Sequence, residues 1–310
     1  MVKAIKFQGK RFLFFKIIAL SVLLVFLFLQ LKKLNFSFDA IVLSNFSSLI
    51  LVLFLMPLNW YFEWLKWKEV VRFSGDKPTS QQRYHSFWAG IVSGMLTPNM
   101  LGNFLGRIYY FKRTVRFIIT YLTLLGSFSQ FLITILFGGL ALVFLNKIPF
   151  GYSLDQLRFS LLCGIFVALV GYFFAEHIVL KRRTRARIIE KIQENGTITI
   201  FKIRSLVFSL FRHLVFTAQF VLMLHAFGAS LSWTLVLWVW QVYLWVTMSP
   251  SLILGKIFIR DSIAVVVLMH ADLGLEPMSI LIASFLIWVI NLLLPTLLAL
   301  FILKQKKTND

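Results

Sequence analysis

Long apolar stretches follow one another along this chain, and short polar stretches separate them. Runs of the roughly 17–25 residues that a helix needs to cross a bilayer fall at 12–31, 40–62, 117–145, 159–180, 205–228 and 278–303. Two further stretches, 84–113 and 232–271, are apolar but interrupted. Each interruption is a hydroxyl residue followed by proline: Thr97-Pro98 and Ser249-Pro250. Threonine and serine are good helix N-caps, and proline suits the first helical position. Each pair therefore predicts the start of a new half-helix. Freed backbone groups at such a break are tolerated at membrane depth only where protein or water surrounds them. The predicted fold class is an all-α integral membrane protein with about six spanning helices and two re-entrant broken-helix hairpins.

Charge placement threads the hairpins. If both dip in and return, most of the 32 lysines and arginines collect on one side: the N-terminal segment, the region 66–116, the region 181–204 and the C-terminal tail. The other side keeps Lys32, Lys33, Lys147, Arg158 and the acidic turn at 272–276. A full crossing would move Lys112, Arg113 and Arg116 to that side, against the positive-inside rule. The rule predicts a cell-membrane protein with both termini in the cytoplasm. The hairpins then enter from opposite sides, as in an inverted repeat, with halves at about 1–145 and 157–303. Matched spacing agrees with this. Trp88 and Trp240 each precede the proline by ten residues, and Arg107 and Arg260 follow it by nine and ten.

Composition narrows the class. Hydrophobic residues make up 59% of the chain and charged ones 14%, against about 25% charged in soluble domains. One polytopic membrane domain over 1–310 is predicted, with no hydrophilic block long enough to fold alone. The run at 12–31 is too long for a signal peptide and reads as a retained first span. A net charge of +20 follows from the positive-inside bias, so no nucleic-acid partner is expected. The single cysteine, Cys163, excludes an internal disulfide and is predicted to be buried. No His/Asp/Glu spacing suggests a metal site, no serine has a nucleophile-elbow context, and no cofactor is expected.

The candidate site lies at the breaks. A half-helix N-terminus offers unpaired N–H groups and partial positive charge, which suit an anion. The candidate headgroup-binding residues are Thr97, Asn99, Asn103, Arg107, Ser249, Lys256 and Arg260. Pro98, Gly102, Gly106, Pro250 and Gly255 shape the breaks, and Gly102 and Gly106 share one face that admits close approach. Nine or ten helical residues rise about 14–15 Å, roughly half the hydrocarbon thickness. With the breaks at mid-depth, Arg107 is expected near the inner surface and Arg260 near the outer one. Arg260-Asp261 reads as an ion pair that is either functional or fixes a hairpin.

Other features have plainer expectations. The basic run 181–187 reads as a topology signal, or as a grip on anionic headgroups. An amphipathic helix is expected to follow it to about Arg204, with a turn signal at Asn195-Gly196. Trp60, Trp64 and Trp67 with Tyr61 suggest an interfacial belt. Asn35 and Asn45 match glycosylation acceptors. Glu176-His177 falls near the inner end of a span, and His213, His225 and His270 read as interfacial or satisfied.

The motif residues also carry a resemblance. W-x8-T-P-N-M-L-G-N-x-x-G-R, from Trp88 to Arg107, resembles the signature of the flippase-like membrane domain found in lysylphosphatidylglycerol synthases and their stand-alone relatives. S-P-S-L-I-L-G-K-I-F-I-R-D-S, followed by L-G-L-E-P and an apolar helix with Asn291 and Pro295, is similar to that domain's second signature. The resemblance covers nearly the whole chain. It implies two inverted halves acting on membrane lipids, either an anionic phospholipid or a polyprenyl-linked glycan. In the synthases an aminoacyl-transferase domain follows, and no such segment is present here, so aminoacyl-lipid synthesis is not expected. Met100 and Asn103 stand where the family often has arginine and glutamate, and Lys256 and Phe258 where an acid and a glycine are common. Two readings result: a translocase for lipids or lipid-linked glycans, or a non-catalytic lipid-binding scaffold that recruits a cytoplasmic enzyme.

Overall fold

Asn45 opens the first described helix. Its side chain accepts a hydrogen bond from the Ser48 amide, as an N-cap does, and its amide contacts His225. Both residues thus have structural partners. A computed structural model of the chain describes residues 43–95, 102–149, 153–180, 182–249 and 255–304. The predicted span at 12–31 and the Asn35 acceptor lie outside the described residues.

Helix α1 runs Phe46–Phe73. After it come α2 (Ser80–Met95), the short α3 (Asn103–Ile108), α4 (Arg113–Phe144), α5 (Leu154–Phe173), α6 (Ala175–Val179) and α7 (Arg182–Gln193). Then follow α8 (Ile198–Ala226), α9 (Trp233–Met248), α10 (Gly255–His270), α11 (Pro277–Trp288) and α12 (Leu294–Lys304). A π turn, Val289–Leu293, joins the last two into one rod. No strand occurs among the described residues. Five elements there are long and apolar enough to cross a bilayer: α1, α4, α5, α8 and the rod Pro277–Leu303. The chain has the expected all-α membrane fold.

The central packing is α1 against α8, antiparallel. Ser44 donates to the Ala226 carbonyl at one end, and Gln219 reaches the Val52 carbonyl. Phe62 stacks on Phe211, with ring centroids 5.4 Å apart. At the other end Phe73 meets Phe201, and Arg204 bonds Glu69 at 2.9 Å. Helix α4 joins through Ser129, which bonds the Ser205 carbonyl and the Ser209 hydroxyl. Helix α9 packs on α4 where Gln241 donates to the Gly138 carbonyl.

Several expectations change. Hydropathy ends the second span at residue 62, but α1 continues to Phe73 because Glu63 and Lys66 are buried and paired. Trp67 is 0% exposed and Trp60 8%, so these two belong to the core and not to an interfacial belt. Cys163 is exposed, since α5 stands at the periphery and shows Leu162, Phe166 and Val167 outward. Residues 182–187 of the basic run open α7, which stops at Gln193. Gly196 then turns the chain with φ +132°, which glycine adopts without a Cβ clash, and α8 begins at Ile198.

The first interrupted stretch folds back on itself. Ser93 donates to the Gly102 carbonyl at 2.8 Å and accepts from the Gly106 amide at 3.1 Å. A Cβ on Gly106 would lie 2.2 Å from the Ala89 carbonyl oxygen, so glycine is what lets α3 run back along α2 in contact. In the second stretch Ser249 closes α9, with its hydroxyl donating to the Trp245 carbonyl. The next described helix opens at Gly255. Ser249 was expected to open a helix, and its observed bond instead serves the helix it ends.

Candidate functional site

Asn59, Glu63 and Lys66 share one face of α1, at the spacing of successive helical turns. Asn59 lies midway along the 28-residue α1, and Arg212 midway along the 29-residue α8. Helices of that length extend about 42 Å, more than the hydrocarbon thickness of about 30 Å. Side chains at their midpoints therefore sit deep within the bundle. Because α1 and α8 are antiparallel, these midpoints face each other.

A buried polar cluster forms there. Arg212 donates to Glu63 Oε2 at 2.7 Å and to Asn59 Oδ1 at 2.9 Å. Asn59 donates to Asn291 Oδ1 at 2.9 Å, which brings in the π turn of the α11–α12 rod. Extra-residue turns of this kind often occur at functional sites. Arg107, from α3, donates to Glu63 Oε1 at 3.0 Å, and the Lys66 ammonium lies 3.6 Å from Glu63 Oε2. The Arg107 guanidinium also rests 4.7 Å from the centre of the Trp67 ring and 5.7 Å from that of Phe87. Both contacts have cation–π geometry.

The cluster is unbalanced. Three basic side chains, Lys66, Arg107 and Arg212, surround one carboxylate, Glu63. Buried charges are normally paired, and here the positive charge exceeds the negative. Polar capacity also remains unused. Arg107 Nε and Asn291 Nδ2 are buried without a hydrogen-bond partner among the described residues, although both residues are more than nine-tenths buried. The Asn103 Oδ1 atom, at the start of α3, is likewise buried and unpartnered.

The candidate residues fall in different places. Arg107 lies buried, 3% exposed, against Glu63 and Trp67, and not at an open surface mouth. Asn103 and Gly106 pack against α2 beside it: a Cβ on Gly90 would meet both Asn103 and Arg107. Gly102 precedes α3 and is buried. Thr97, Pro98, Asn99, Met100 and Pro250 lie outside the described residues. Gly255 and Lys256 begin α10, and the Lys256 side chain is outside what is described. Arg260 does not join the cluster. It pairs with Asp261 at 2.7 Å and donates to the Ser284 carbonyl, while the Ser284 hydroxyl donates to Asp261. That triad clamps α10 to α11. Glu176 is held by Lys202, which also donates to the Phe173 carbonyl, pinning the end of α5 to α8.

Sequence reasoning passed over Asn59, Glu63 and Lys66. Their 59–63–66 spacing inside a tryptophan-rich helix was the available signal. Arg212, a cation within an apolar run, was another.

Separately, an apolar recess of about 330 Å³ opens between α4, α5 and α9, bordered by Phe131, Leu161, Ile165 and Leu244.

A helical bundle with five membrane-length elements and a charged cluster midway along its central pair defines the class: a multi-pass integral membrane protein. More particularly, the chain belongs to the family described as the lysylphosphatidylglycerol synthase TM region, whose model matches residues 16–299. That family is associated with lipid handling in the membrane. Neither the search of curated proteins nor that of solved structures returned a match.

Proposed function

We propose that this protein is a translocase for lipids or lipid-linked glycans that moves an anionic headgroup between the two leaflets. The reading rests on one observation: three basic side chains share one carboxylate midway along α1 and α8, with Arg107 Nε and Asn291 Nδ2 unpartnered among the described residues. Ionisable groups at membrane depth mark substrate paths, and a phosphate would supply the missing negative charge. Arg107 and Arg212 would hold it by charge-assisted hydrogen bonds, with Asn291 donating from the π turn. Glu63 then has a second role: it occupies the arginines when no headgroup is present. The lipid tails stay in the bilayer throughout, and the apolar recess between α4, α5 and α9 offers them a surface.

The order of elements supports an inverted arrangement. A long helix, an interrupted hairpin and a second long helix occur as α1, α2–α3 and α4, and again as α8, α9–α10 and α11–α12. In transporters built this way, substrate sites lie near the midplane at the interface of the repeats, and the cluster links α1 of one half to α8 of the other. We read the hairpins as re-entrant. The basic end, where Lys68, Arg72 and Arg113 gather with α7, is read as cytoplasmic in the cell membrane. The protein moves its substrate without transforming it.

Reconstitution tests this. Liposomes with the purified protein should move labelled anionic phospholipid or polyprenyl-linked sugar faster than empty liposomes. The Arg107→Gln variant, if correctly folded by size-exclusion chromatography, should lose most of that gain. Equal rates with and without protein across both lipid classes would reject the translocase and leave the scaffold reading.

A further inference from the structure

We infer that a second phosphate-binding site lies at the basic end of the bundle, outside the buried cluster. Where α1 ends and α2 begins, a cavity of about 340 Å³ is lined by Lys68, Arg72, Asp76, Lys77, Arg83 and Asn195. That volume suits a small ligand. Lys68 and Arg72 are one turn apart on α1, and Lys77 lies in the turn that follows. Arg83 comes from the first turn of α2, and Asn195 from the turn between α7 and α8. The corner from the end of α1 to the start of α2 thus brings four cations and one acid to a single hollow, and the turn between α7 and α8 adds Asn195.

Internal pairing leaves this charge largely free. Asp76 accepts from the Lys77 backbone amide. Arg72 has only a 3.9 Å contact with Glu69, whose other oxygen is taken by Arg204. Neither Lys68, Lys77 nor Arg83 forms an ion pair among the described residues, and Arg83 Nε is buried without a hydrogen-bond partner. The Arg83 backbone is fixed, since its carbonyl accepts from Trp67 Nε1 at 3.1 Å and from the Ser86 hydroxyl at 2.8 Å. A guanidinium anchored in this way, beside two ammonium groups, matches a phosphate or diphosphate ester.

The site also adjoins the buried cluster. Trp67 donates to the Arg83 carbonyl, and its ring carries the Arg107 guanidinium. One tryptophan therefore separates the surface hollow from the deep cluster. The hollow is a loading station from which a phosphate group passes to Arg107. The binding assignment stands apart from transport, and only the loading role rests on the proposed translocase.

The test uses the full chain in phosphatidylcholine nanodiscs, titrated with inorganic pyrophosphate in a calorimeter. Saturable binding is expected, weakened about tenfold or more by Lys68→Gln with Arg83→Gln. Lys112→Gln with Arg113→Gln, at the same end but outside the hollow, should leave it unchanged. If the pocket pair misfolds by size-exclusion chromatography, Lys77→Gln in the exposed turn replaces it and should still weaken binding several-fold. Absence of saturable binding to the wild type, or wild-type affinity in the folded pocket variants, overturns the site. Dihexanoyl phosphatidylglycerol then identifies the source. Displacement of pyrophosphate supports a lipid headgroup, and failure to displace it supports a soluble phosphate compound. Pocket variants that lose pyrophosphate binding yet transport lipid at the wild-type rate would refute loading, and a wild type that binds pyrophosphate but never transports would refute the translocase alone.

Discussion

Replacing Glu63 by glutamine leaves the shape of the cluster nearly unchanged and removes the one negative charge that the described residues bring to it. Lys66, Arg107 and Arg212 then face one another without a counter-charge, each within reach of the former carboxylate at 3.6, 3.0 and 2.7 Å. Removing one partner of a buried pair costs about 3–5 kcal/mol, because the remaining charge is left uncompensated. Against a total stability of about 5–15 kcal/mol, that is a large loss. At about 2–4 °C per kcal/mol for a domain of this size, the melting temperature should fall by about 6–20 °C. The reverse change, Arg107→Gln, leaves Glu63 still bonded to Arg212 and close to Lys66 and so should cost less. Glu69→Gln provides a surface control. Its partners Arg204 and Arg72 are substantially exposed, and such pairs contribute about 0–1 kcal/mol. Thermal unfolding of the detergent-solubilised protein, followed by tryptophan fluorescence, should rank the losses Glu63→Gln, then Arg107→Gln, then Glu69→Gln. If Glu63→Gln melts within about 2 °C of the wild type, the cluster is not held as argued.

Other perturbations separate packing from charge. Gly106→Ala places a Cβ 2.2 Å from the Ala89 carbonyl oxygen, so α3 must move off α2. Overpacking of this kind costs about 1–3 kcal/mol, and differential scanning fluorimetry should show the drop, whereas Gly164→Ala, with nothing near its added Cβ, should leave the melting temperature unchanged or raise it. Asn291→Leu removes the acceptor for Asn59 and should destabilise by about 1–3 kcal/mol, while also slowing lipid movement in proteoliposomes. Lys202→Met strands Glu176 beside the end of α5, and a loss of about 3–5 kcal/mol is expected, with protease sensitivity rising between α5 and α8. For orientation, single cysteines introduced at 113 and 272 in a Cys163→Ser background should be labelled from opposite sides of intact cells.

Much of the fold could be read from hydropathy, because a membrane span must satisfy its own backbone and advertises itself by length. The ends of the spans were harder. Glu63 and Lys66 look like the start of a polar loop, and only a partner 149 residues away, Arg212, turns them into an internal cluster. The same limit hid the pairing of Asn291, which meets Asn59 across 232 residues. Nothing local couples such positions, so a linear reading assigned Lys66 and Arg107 to a cytoplasmic segment. The Ser-Pro signal fell at the end of α9 but did not reveal the direction in which its hydroxyl is used, since Ser249 bonds backward to Trp245. Cys163 was misplaced for a related reason: an apolar residue on a peripheral membrane helix faces lipid, and hydropathy does not distinguish lipid from protein.

The central claim is that a lipid phosphate reaches the arginines midway through the membrane. Solid-state NMR can measure this in lipid nanodiscs, by dipolar recoupling between phospholipid ³¹P and ¹⁵N-labelled arginine guanidinium groups. A wild-type protein should show dephasing from guanidinium nitrogens within about 4 Å of phosphorus, and the folded Arg107→Lys, Arg212→Lys double variant should lose that component while keeping the signal from its surface arginines. Identical dephasing in the two proteins would mean that no headgroup visits the cluster.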